Sequence, residues 1–178
     1  MNKNKILLLV LYTLALAAIL YYPVSKIVKF EVSPDYEEFK FKATVYDPYD
    51  PMRGRYVQLH LSPDIWESAD RDPVRHTGYA VIRKDSKGFA EVLRLTADFP
   101  QLPKGEYAVK VNSIYSHCKN EKSNIMEYHF TWPFNRFYLN ELKAPELEKE
   151  LRRRNTPMIL KVKIFNDGSF AVTGMEKH

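Results

Sequence analysis

The chain is constrained most by one uninterrupted apolar run near its start. Ile6 to Tyr22 reads ILLLVLYTLALAAILYY, with no charge, glycine or proline. As a helix it rises about 25 Å, slightly short of the ~30 Å hydrocarbon core of a bilayer. Val24, Ile27 and Val28 can extend it, and Tyr12, Tyr21 and Tyr22 are aromatics of the kind found at membrane interfaces. A signal peptide has a shorter apolar region, followed by a small-x-small cleavage site. The Ala-x-Ala here, Ala15 to Ala17, lies inside the run and is followed by AILYY. The segment therefore reads as an uncleaved single-pass anchor. Cleavage and a buried core helix are the alternatives. Lys3, Lys5 and the α-amine precede the run and Lys26 and Lys29 follow it, so flanking charge barely orients it. A long C-terminal domain translocates largely regardless of its charge. The expected arrangement is a cell-membrane protein with its N-terminus inside and its soluble domain extracytoplasmic.

Two parts are expected: residues 1–28 as anchor and 29–178 as a single soluble domain of ordinary size. Setting Lys3 and Lys5 aside from 27 basic residues leaves 25 against 22 acidic ones, about +3. That is a mixed surface with no nucleic-acid footprint. Cys118 is the only cysteine, so no intrachain disulfide can form. It reads as a small, partly buried residue, with a reactive thiol beside His117 as the alternative.

The domain reads as mainly β: a curved antiparallel sheet or barrel-like body with one short helix in its C-terminal half. Phe39 to Tyr46 and Arg55 to Leu61 alternate apolar and polar residues, the period of half-buried strands. Gly78 to Lys84 and Gly88 to Leu95 flank a tight Asp-Ser-Lys turn, and Gly105 announces a strand over Glu106 to Ile114. Met158 to Phe165 and Ser169 to Thr173 surround Asn166-Asp167-Gly168, residues that accept positive φ. Pro145, Glu146 and Glu148 begin a helix that Arg152 to Arg154 end, each charge matched to the helix dipole. A membrane-surface patch is the other reading of that arginine triplet. Ser62 to Thr77 reads as an irregular excursion between strands.

The most distinctive segment is Asp47-Pro-Tyr-Asp-Pro-Met-Arg-Gly-Arg-Tyr-Val-Gln-Leu59. Each residue before a proline avoids the α region, and Gly54 lets the chain reverse into a strand. This pattern, D-P-x-D-P-x-R-G-x-Y-V-x-L, resembles the GDYXXLXY family of membrane-anchored bacterial proteins. Gly54, Tyr56 and Leu59 are kept, while Arg55 stands for the Asp and Leu61 for the last Tyr. A second similarity is Arg136-Phe-Tyr-Leu-Asn-Glu141, followed by the charged helix and the Asp167-Gly168 hairpin. The resemblance implies architecture and location and carries no activity.

Asp47, Asp50, Arg53 and Tyr56 in one segment, and Arg136, Tyr138 and Glu141 in the other, are rich in groups that pair. They are expected to meet in space as a structural or functional cluster, with Arg53 in reach of Glu141 or of an aspartate. No catalytic, cofactor-binding or metal-ligand set is read from the chain. His60, His76, His117, His129 and His178 show no metal spacing, and each reads as a satisfied or exposed histidine. No nucleophile elbow, phosphate loop or dinucleotide fingerprint occurs. Arg53 to Val57 is faintly similar to a strand of type I signal peptidases, for which Ser25 or Ser33 would need activation by a lysine such as Lys84. Pro34 directly after Ser33, and the missing Met-containing serine motif, speak against that hydrolase. The favoured reading is a non-catalytic accessory or partner of another membrane or envelope protein, with lipid contacted through residues 6–22 and no cofactor. A ligand- or polymer-binding module is next; twelve tyrosines and ten phenylalanines would serve either reading, and ordinary β packing also accounts for them.

Overall fold

The computed structural model describes residues 3–47, 56–69, 76–120, 123–138 and 158–177. They form two compact units, dividing between Asp35 and Tyr36. The first is helix α1, Lys3–Val32. Its 30 residues rise about 45 Å, and its most apolar stretch has a mean hydropathy of 2.2. None of its residues is buried. The helix continues four residues beyond the expected boundary at 28. Pro23 stands just after the apolar run, where it removes one backbone donor. Polar groups just after it reach back to Tyr22: the Ser25 hydroxyl donates to the Tyr22 carbonyl at 2.8 Å, and the Lys26 ammonium lies 4.9 Å from the Tyr22 ring centre.

The second unit is built from strands: β1 Tyr36–Asp47, β2 Tyr56–Ser62, β3 Ile65–Ser68, β4 His76–Lys84, β5 Ala90–Thr96, β6 Glu106–Asn120, β7 Ser123–Thr131, β8 Arg136–Tyr138, β9 Met158–Phe165 and β10 Phe170–Lys177. They form two five-stranded sheets, in the orders β10-β9-β1-β2-β8 and β3-β7-β6-β4-β5. Every strand pair is antiparallel, as expected. The second sheet is nearly closed like a barrel. Its end strands are linked by a bond from the Trp66 indole N–H on β3 to the Leu93 carbonyl on β5 at 3.1 Å. The β4–β5 register steps from Arg94 to Val92, so Leu93 is a bulge residue without a partner on β4. A carbonyl left out of the ladder needs another donor, and the indole supplies it.

Alternation explains the core. On β1, Phe39, Phe41 and Ala43 are fully buried, and they face Val162, Leu160 and Met158 across β9. On β10, Phe170 and Val172 pack inward, then the register slips at Thr173 so that Met175 also faces the core. Without that extra residue Gly174 would point inward instead. Aromatic rings join the two sheets: Phe41 lies 5.0 Å from both Trp132 and Phe134, edge to face. Trp132 is 1% exposed and donates its indole N–H to the Pro63 carbonyl at 2.7 Å. Burying each such ring stabilises the fold by about 1.5–3 kcal/mol.

Some expectations need correction. Ser62 to Thr77 is not wholly irregular: Ile65–Ser68 is β3, paired to β7, and Ser62 and His76 belong to β2 and β4. Strand β6 runs six residues beyond Ile114, and β7 and β8 were not foreseen as strands. The expected helix over residues 144–154 lies outside the described residues.

Candidate functional site

Two regions gather polar groups. The first holds the distinctive sequence segments. Strand β2 pairs with β8, setting Tyr56 opposite Tyr138, Val57 opposite Phe137 and Gln58 opposite Arg136. On its other side Gln58 faces Asp47, the last residue of β1. Asp47, Gln58 and Arg136 thus form one row across three strands, its ends roughly 10 Å apart. Four of the seven residues singled out from sequence, Asp47, Tyr56, Arg136 and Tyr138, therefore share a corner of one sheet. Arg136 is exposed there. Asp50, Arg53 and Glu141 lie outside the described residues, and with them the expected Arg53 pairing.

The second region, on the outer face of the other sheet, was not legible in the sequence. The β6 register carries one extra residue, Ser113, held at a φ of 53°. This bulge reverses the alternation. Val109 and Val111 point inward before it and Ile114 after it, so Tyr115 and His117 face outward. On β7, Tyr128 and Phe130 are buried, which turns Glu127 and His129 to the same outer face. Pairing sets Tyr115 opposite His129 and His117 opposite Glu127. The His129 ring is stacked between two others, 4.9 Å from Tyr115 and 5.1 Å from His117.

This face is partly covered, with the His129 and Glu127 side chains 20% and 16% exposed. One ligand atom from each of His117, Glu127 and His129 lies within 4.8 Å of the others. His129 Nε2 lies 3.0 Å from Glu127 Oε1. Yet that buried nitrogen makes no hydrogen bond. On the far side of β7, Glu67 of β3 stands directly opposite Glu127. His129 and Tyr115 also line a cavity of about 180 Å³ with His60 and Asp64, whose Nε2 and Oδ2 atoms are 3.4 Å apart. The histidines escaped detection because strand pairing, not spacing in the chain, brings them together. The readable signals were Glu127-Tyr-His129, whose period of two puts both side chains on one face, and His117 ten residues before Glu127.

Elsewhere an open cavity of about 770 Å³ is lined by Lys40, Lys42, Lys87, Phe89, Asp85 and Glu91, among others. Lys84, the lysine considered for a serine hydrolase, is paired with Glu37. Neither the curated proteins nor the solved structures contain a match to this chain. The family model of the GDYXXLXY protein matches residues 19–175, from the second half of α1 into β10. Strand β2 carries that family's Tyr56 and Leu59, and β8 carries the second similar segment beside it. The chain belongs to the GDYXXLXY protein family.

Proposed function

We propose that α1 crosses the cell membrane once and presents the β domain outside the cytoplasm, as a non-catalytic partner of another membrane or envelope protein. One observation carries the reading: a 30-residue helix has none of its residues buried, although its apolar stretch is long enough to span a bilayer. Leucines and isoleucines exposed along its length need a non-aqueous surrounding. The domain is long enough to translocate whatever its charge. A ligand-binding role is favoured by a different observation, the open cavity with three lysines, although Asp85 and Glu91 offset their charge.

Cys118 provides the test, being exposed and the only cysteine. The protein should resist alkaline extraction from membranes with Met1 or Asn2 at its N-terminus. A membrane-impermeant maleimide should label Cys118 in intact spheroplasts. Labelling that needs lysis would place the domain inside. A mature N-terminus between Ala17 and Ser25 would replace the anchor with a cleaved signal.

A further inference from the structure

The histidine–carboxylate cluster on the outer face of the β3-β7-β6 sheet does not depend on how the domain is held at a membrane. We propose that His117, Glu127 and His129 form a binding site for a first-row divalent cation, with Zn²⁺ the best match. Two imidazoles and one carboxylate are a donor set that holds such ions and leaves a further position open.

Distances favour an ion. Donors about 2.0–2.2 Å from a metal lie no more than roughly 4.4 Å apart. One ligand atom from each side chain lies within 4.8 Å of the others, so the set closes once the His117 ring leaves its stack on His129 and turns a nitrogen toward the shared point. His117 is exposed and its ring can make that turn. The 3.0 Å between His129 Nε2 and Glu127 Oε1 is already the separation of two adjacent ligands on one ion. The buried nitrogen makes no hydrogen bond, and coordination to a cation would satisfy it.

The surroundings favour a defined geometry. Tyr115 stacks on His129 at an interplanar angle of 6°, which limits how that ring turns. The Ser113 bulge and the β6–β7 pairing fix both histidines on strands, not on loops. The cavity of about 180 Å³ beside His129 offers space for a water or small ligand completing the ion's shell. Nothing in this arrangement requires a helix or a cysteine pair, the two patterns by which metal sites are usually read from sequence.

The full-length protein, purified in detergent without a polyhistidine tag and stripped by a chelator, should be titrated with Zn²⁺ against a chromophoric chelator. One ion per chain is expected, with micromolar or tighter affinity. Replacing both ligands together, His117→Asn with His129→Asn, should weaken binding at least about a hundredfold. His76→Asn should leave it unchanged. Stoichiometric binding that survives the double substitution, or no binding by the unaltered protein, would overturn the proposal. Zinc-edge X-ray absorption of the unaltered protein gives a check that needs no variant to fold. A nitrogen and oxygen shell with imidazole scattering supports the site, and a shell without imidazole refutes it.

Discussion

Gly168 holds the β9–β10 turn at a φ of +80°, where its N–H donates to the Phe165 carbonyl at 2.9 Å. A Cβ there would stand 2.9 Å from the Ala108 carbonyl of β6 and 3.1 Å from the Phe99 ring. The backbone oxygen cannot rotate away, so alanine would meet both a left-handed conformation and a collision. Gly105 has a similar φ, +87°, but open space around it. Gly168→Ala should therefore lower stability by roughly 2–4 kcal/mol, and Gly105→Ala by only about 1 kcal/mol. Urea unfolding of the two variants separates the effects, and equal losses would show that packing against Ala108 adds nothing. The glycine itself was readable, since Asn-Asp-Gly between two apolar runs demands a turn. Its contact with another sheet was not, because Ala108 lies sixty residues earlier.

Regular strands were the legible elements, and irregular ones carried the surprises. β1, β4, β5, β9 and β10 announce themselves by alternation and by turn residues at their ends. β7 alternates as well, in Met126, Tyr128 and Phe130, but no glycine or proline marks where it begins. The outward placement of His117 depends on a single extra residue, Ser113, and no local pattern distinguishes an inserted residue from a paired one. The corner made by β2 and β8 was half legible. Its two segments were singled out for their pairing groups, and pairing Tyr56 with Tyr138 brings their strands together. That register ends three residues short of Arg53 on one chain segment and of Glu141 on the other. A double-mutant cycle with Arg53→Glu and Glu141→Arg should show coupling of at least about 1 kcal/mol in thermal stability. Arg53→Ala alone should lower stability by about 3–5 kcal/mol if the pair is buried and much less if it is exposed. Additivity within about 0.5 kcal/mol would mean that the two side chains are independent.

At the scale of the whole molecule, every buried core residue among the described residues belongs to the second unit, none to α1. Residues 36–178 should therefore fold without the helix, as a water-soluble domain with one cooperative unfolding transition. Trp66 and Trp132 both lie in it and should give a near-ultraviolet dichroism signal that disappears at that transition. A product that aggregates or unfolds gradually would show that the helix contributes to the domain's stability. Copies anchored through α1 as proposed would meet at high local concentration, confined to two dimensions, and their sheet edges would be the first surfaces able to pair between molecules. The slip at Thr173 matters in that setting. It breaks the straight run of backbone donors and acceptors along β10, and Gly174 directly after it offers no side chain to stack. A neighbouring copy laid against that edge would find its hydrogen bonds out of step after Val172. The same residue that returns Met175 to the core thus also guards the molecule against polymerising with its own kind.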